Sequence, residues 1–188
     1  MPSNSSASNG MAGVAVTSGL EHLPLATPAE HRSGMRRLAA GVSIIAAAHQ
    51  GQRAGLTATA VCSVTADPPR LVVFVNKSVL ANELIAHSGA LSVNVLAGDQ
   101  EDVARVFAGM VEGVHGPARF DTGHWLTLQS GAPVLDGALS SFDCRVIRCF
   151  DESTHNAYLC EVLAVRERTD GQALVYLNGG FHHLDLLG

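Results

Sequence analysis

The chain has 188 residues, 47% of them hydrophobic and only 15% charged, with a formal net charge of -5. This length suits one domain, alone or with a tail, and the apolar content excludes global disorder, while weak acidity argues against a general binder of nucleic acid or anionic membranes. A charged fraction below the roughly 25% usual for soluble proteins points to surface buried in an oligomer, or else to a small, Ala-rich core.

Residues 1–30 are rich in Ser, Ala, Asn and Gly without a sustained period, and read as a flexible tail ahead of a single domain at 31–188. They contain no Lys or Arg and no apolar h-region, and no later run reaches the ~18 apolar residues of a membrane span, so the sequence predicts a cytoplasmic protein. From His31, the spacing of Met35, Leu38 and Ala39 predicts a short amphipathic helix. Strand-length apolar runs follow at 42–48, 55–65, 71–76, 91–96, 139–150, 157–166 and 174–177, with Asp67-Pro68-Pro69 forcing a break after the second. Two short helices interrupt them. One follows Ser78, and the other follows Asp99 as its N-cap, with Val103, Val106 and Phe107 as its apolar stripe. Many strands, few helices and no βαβ alternation predict a mainly β fold, a β-barrel with a few short helices.

The sequence lacks the Rossmann, P-loop, HExxH and GxSxG motifs. Cys62, Cys144, Cys149 and Cys160 form no CxxC pair and read as buried reduced thiols. His182 and His183 point to opposite faces if they lie on a strand, so no metal site is expected.

Strict alternation through 55–65 puts Leu56, Ala58, Ala60, Cys62 and Val64 on one apolar face, and Thr57, Thr59, Val61, Ser63 and Thr65 on the other. The second face is either a wet strand surface or a hydroxyl-lined ligand wall. Asn76-Lys77-Ser78 runs into a helix. With Ser78 as N-cap, the first-turn N–H groups and Lys77 could hold a phosphate, and the alternative is an ordinary capped helix with a surface lysine. His155, just ahead of an apolar strand, is either structural or functional.

The segments MRRLAAGVSIIAA, AGLTATAVCSVTADPP, VNKSVLANELI, LSVNVL, QEDVARVFAGM, ALSSFDCRV, STHNAYLCEV and ALVYLNGGFHHL, in this order, resemble the flavin reductase-like family. Within it they are most similar to the reductase components of two-component monooxygenases, such as the one serving 4-hydroxyphenylacetate 3-monooxygenase, with the pyrimidine-degradation flavin reductase a near relative. The resemblance implies an FMN-binding split barrel and an NAD(P)H-dependent flavin reductase. Such an enzyme moves a hydride from NADH (or NADPH) to FMN or FAD and supplies reduced flavin to a partner monooxygenase. A flavoprotein that keeps its flavin and a non-catalytic flavin-binding module remain alternatives. The resemblance also implies a homodimer with the flavin site near its interface. Thr57, Ala58, Thr59 and Ala60 would line the ring and ribityl chain, with Cys62 and Ser63 close by. Asn76, Lys77, Ser78 and Asn82 would serve the ribityl-phosphate, and Phe107, Ala108 and Gly109 would close the pocket. His155, Phe181 and His182 would hold the nicotinamide, with His155 as the catalytic position. Ser153 stands where the family has Gly, and Cys160 where many relatives have Gly.

Overall fold

The computed structural model describes residues 19–185, so most of the expected tail (1–18) and residues 186–188 lie outside the described residues. The first helix, α1 (Pro28–Met35), starts from a Thr27–Glu30 capping box with Pro at its first position. It therefore begins before His31 and ends before Leu38 and Ala39. The expected apolar stripe does not form, and no residue of α1 is buried.

Then come β1 (Ala40–Gly41), β2 (Ser43–His49), β3 (Gln52–Ala58), β4 (Val61–Ala66), β5 (Pro69–Asn76), α2 (Leu80–Ser88), β6 (Ala90–Val95) and α3 (Glu101–Phe107). The chain ends through β7 (Trp125–Thr127), β8 (Pro133–Leu135), β9 (Ser140–Glu152), β10 (His155–Glu167), β11 (Gln172–Leu177) and β12 (Gly180–Asp185). A seven-stranded antiparallel sheet runs β3-β2-β6-β9-β10-β5-β4, beside a three-stranded sheet β1-β11-β12 and a β7-β8 pair.

The run expected as one strand over 55–65 is two strands at opposite edges of the large sheet. Only Thr59 and Ala60 join them, so the sheet must curl until its edges meet, which makes it a barrel. The two-residue link also shifts the alternation by one. Leu56, Ala58 and then Val61 pack against the interior cluster, whereas Cys62 and Val64, expected with them, are exposed. A bulge between Ser63 and Thr65 shifts the register again.

Two apolar clusters form on the two faces of β2, whose successive isoleucines point in opposite directions. Ile45 joins the barrel interior with Val73, Val75, Leu91 and Tyr158, and α2 inserts Leu84 and Ile85 there. Ile44 joins Leu96, Val106, Phe107, Phe120 and Leu174 in the second cluster, under α3 and β11. The turn from α2 into β6 needs Gly89, which sits at φ +67° and donates its N–H to the Ile85 carbonyl. Asp99 does not cap α3. It lies in a 3-10 turn before that helix, Gln100 holds the N-cap position, and Arg168 binds the Asp99 carboxylate at 2.9 Å. All four thiols are free, but only Cys144 and Cys160 are buried. Burial pushes the Cys160 thiol up to about 12, while Cys62 and Cys149 are exposed.

Candidate flavin and nicotinamide site

Thr57 lies at the centre of the concave surface. It is on the face of β3 opposite Leu56 and Ala58, and its Oγ1 donates to the Ala104 carbonyl at 2.7 Å, tying β3 to α3. Two cavities meet at this residue and Ala108. One, of about 210 Å³, is bounded by Ala58, Thr59, Met110, Tyr176 and Phe181. The other, of about 420 Å³, is bounded by Gly55, Phe107, Arg119 and the first residues of α2. A third space, of about 620 Å³, opens between α1 and the Thr59-Ala60 link and shares Tyr176 with the first. The walls near Thr57 are small, with Gly55, Ala58 and Ala108, so a flat ligand can approach the backbone closely. They are also held rigidly. Phe107 is wedged between Phe120 (centroids 5.0 Å apart, edge-on) and Trp125 (5.3 Å), and Phe181 lies edge-on to Tyr176 at 5.4 Å. Arg105 sits over the Phe181 ring at 5.4 Å and is anchored by Glu101, which also contacts His183. Those two partners, Arg105 first, hold the Glu101 carboxyl below its ordinary range.

The residues expected on the phosphate side are placed differently. Ser78 is not an N-cap: its N–H and hydroxyl both donate to Asn76 Oδ1, and α2 starts from Val79 without a side-chain cap. Lys77 is not free of carboxylates. Its Nζ lies 2.5 Å from Asp151 Oδ1 and 2.6 Å from the Ser153 carbonyl, both brought in by the β9–β10 turn. Asn82 Oδ1 accepts from Tyr158 Oη at 2.7 Å and from Asn156 Nδ2 at 2.9 Å. None of Asn76, Lys77, Ser78 and Asn82 borders the 420 Å³ cavity; Val79, Leu80 and Ala81 do. Cys62 and Ser63 lie past the register shift and border neither cavity at Thr57. Gly109 (φ +73°) turns the chain after α3 beside Arg119.

His155 is the first residue of β10, directly opposite Asn76 on β5, with Thr154 Oγ1 2.9 Å from its Nδ1. Ser153, in the position that favours Gly, adopts φ +47°. The structure thus groups His155 with Lys77 and Asp151. Phe181 borders the smaller cavity, and the His182 ring Nε2 lies 3.2 Å from the Leu177 carbonyl. Among the described residues, no hydrogen bond or ring contact joins His155 to Phe181 or His182. The sequence reading missed Arg119, Tyr176 and Met110. Arg119 sits in GVHGPARFD, a turn-rich stretch whose lack of periodicity gives no sign of where its side chain goes.

Known proteins share this fold. The flavin reductase like domain family matches residues 35–185. The chain belongs to this family. An FMN reductase (NADH) RutF from Stutzerimonas stutzeri is 44% identical over 155 residues, covering 82% of this chain and 87% of the relative. Its counterpart from Rhizobium rhizogenes is also 44% identical, covering 81% and 87%. Among solved structures, a flavin reductase from Haemophilus somnus superposes with a TM-score of 0.80 at 31% identity, covering 85% of this chain and all of that one. The NADH:FAD oxidoreductase SgcE6 of Streptomyces globisporus, in complex with NAD and FAD fragments, gives 0.74 at 26%, covering 85% and 95%. The fold is that of the flavin reductase split barrels.

Proposed function

We propose that this enzyme is an NADH-dependent flavin reductase that takes FMN, or FAD, as its flavin and supplies the reduced product to a partner monooxygenase. The observation that carries this reading, in a member of this family, is the small-walled double cavity meeting at Thr57 and Ala108. Its walls fit a flavin: Gly55, Ala58 and Ala108 leave room for a ligand close to the backbone, and Arg119 supplies a cation for a phosphate. The flavin supplies the redox chemistry, accepting a hydride from C4 of the reduced nicotinamide. Thr57, Ala58, Thr59 and Ala60 hold and orient the ring, and Phe107 and Ala108 close the cleft over it. Phe181, fixed by Tyr176 and Arg105, offers an aromatic wall for the nicotinamide. No side chain has to transfer a proton for the hydride step, which accords with cavity walls that hold no carboxylate among the described residues.

His155 belongs to this reading through a homodimer. It shares a strand face with Ala157, which is paired with Phe74 and Phe150, and these two aromatics are 40% and 38% exposed. Pairing of two subunits across this apolar ribbon would bury both rings and bring His155 toward a partner's nicotinamide site. Sedimentation that finds only the 19.6 kDa monomer at micromolar concentration removes this part of the reading. Among the described residues no helix is long and apolar enough to cross a membrane, and the free thiols support a place in the reducing cytoplasm.

Mixing the protein with NADH and excess FMN or FAD tests the whole proposal. Steady NADH oxidation that scales with free flavin is the expected result. One turnover per bound flavin would instead indicate a flavoprotein serving another acceptor, and no turnover would indicate a binding module.

A further inference from the structure

Arg119 stands out among the cations. It lies on the 3-10 turn Gly116–Asp121, which the buried Phe120 ring pins against Phe107 and Trp125. One guanidinium nitrogen, Nη1, donates to the Phe107 carbonyl at 3.2 Å. Nε is buried without a partner, and Nη2 makes no hydrogen bond among the described residues. The Nε–Nη2 edge, the side of the fork that grips an oxyanion with two parallel bonds, is therefore left unpaired, with Nε itself buried. Gly109 lets the backbone pass close beside it, since a Cβ there would stand 3.3 Å from Nη2. Among the described residues, the cavity that Arg119 borders has no carboxylate in its walls, and it is also lined by the start of α2 at Val79, Leu80 and Ala81, which has no side-chain cap. Lys77, by contrast, is already bound by the Asp151 carboxylate and the Ser153 carbonyl.

Building on the flavin-reductase reading, we propose that Arg119 is the side chain that recognises the flavin phosphate and sets the preference for FMN over riboflavin. The flavin then lies with its phosphate between Arg119 and the start of α2, its ribityl chain passing Thr57 and Ala108, and its ring against Ala58 and Thr59, which leaves the Phe181 side to the nicotinamide. The Phe107 carbonyl holds the guanidinium in place, and Lys77 serves as a strut for the β9–β10 turn.

Dissociation constants of FMN and riboflavin, measured by flavin fluorescence on wild type, Arg119→Gln, Arg119→Lys and Lys77→Gln, test this. Arg119→Gln replaces the charge with a neutral polar side chain, and Arg119→Lys keeps the charge without the fork. The expected result is FMN affinity lower by about tenfold to a hundredfold, the range of a lost charge-assisted contact, with riboflavin changed less than about twofold. Arg119→Lys should fall between, and added salt should weaken FMN in wild type but not in Arg119→Gln. If Arg119→Gln does not fold, the Lys variant and the wild-type salt dependence decide. Equal weakening of both flavins would make Arg119 a structural strut and overturn the proposal, as would loss of the FMN preference in Lys77→Gln alone. Wild type that binds neither flavin would overturn the flavin site itself.

Discussion

Replacing Gly55 with alanine puts a methyl group where the structure has no room for one. The new Cβ would stand 2.8 Å from Phe107 Cε1, 3.1 Å from its Cδ1 and 3.0 Å from the Ile45 carbonyl oxygen. Comfortable carbon–carbon contact begins at about 3.5 Å. Neither neighbour can step aside: Phe107 is 2% exposed and held between Phe120 and Trp125, and Ile45 is backbone of the adjoining strand β2. Overpacking of this kind costs about 1–3 kcal/mol. The smaller entropy of the unfolded alanine chain offsets about 0.4–1 kcal/mol, leaving a net loss of up to roughly 2.5 kcal/mol. At about 2–4 °C per kcal/mol for a chain of this length, Tm should fall by up to roughly 10 °C. Gly41→Ala is the internal control, because nothing lies within 4 Å of its added Cβ and its φ is not in the left-handed region. It should melt at or slightly above wild type. Circular dichroism melts of the three proteins, with a flavin titration on each, give both readouts. Because Gly55 and Phe107 border the same cavity, Gly55→Ala should also weaken flavin. A Gly55→Ala protein as stable as Gly41→Ala with unchanged flavin affinity would refute the packing argument.

Other expectations are as specific. Arg70 and then Arg145 hold the Glu161 carboxyl below its ordinary range, so its contribution to stability is present above the ordinary carboxylate pKa and is lost as pH falls through the lowered one. Urea melts of Glu161→Gln should therefore show a deficit at neutral pH that closes in acid, and a deficit independent of pH would contradict the assignment. His155→Ala should raise KM for NADH or slow flavin reduction in stopped flow while flavin affinity stays nearly constant; parallel damage to both ligands would mark a structural histidine. Tyr158→Phe removes the 2.7 Å bond to Asn82 Oδ1 and should cost about 1 kcal/mol by chemical denaturation, since Asn156 still serves that oxygen. No loss would mean that the hydroxyl is equally well satisfied in the unfolded chain.

What the sequence determined by itself was mostly local. Apolar runs and the Pro-Pro break located the long strands, because a strand's two-residue period and a proline's missing N–H are written in a few neighbouring residues. The ordered motifs identified the family and selected Thr57 to Thr59, Phe107, Ala108 and Phe181, which do border the cleft. Three matters required tertiary structure. The break at Thr59-Ala60 exists because the barrel must close there; no turn residue marks it, so alternation read through it assigned Val61, Cys62 and Val64 to the wrong faces. Lys77 looked unopposed because its carboxylate partner, Asp151, lies 74 residues away and arrives only through the β9–β10 turn. Arg119 looked like any loop arginine until Phe120 anchored its turn in the second core and turned the guanidinium into the cavity. A strand's faces can be counted from the sequence, but which charges meet depends on how the sheet closes.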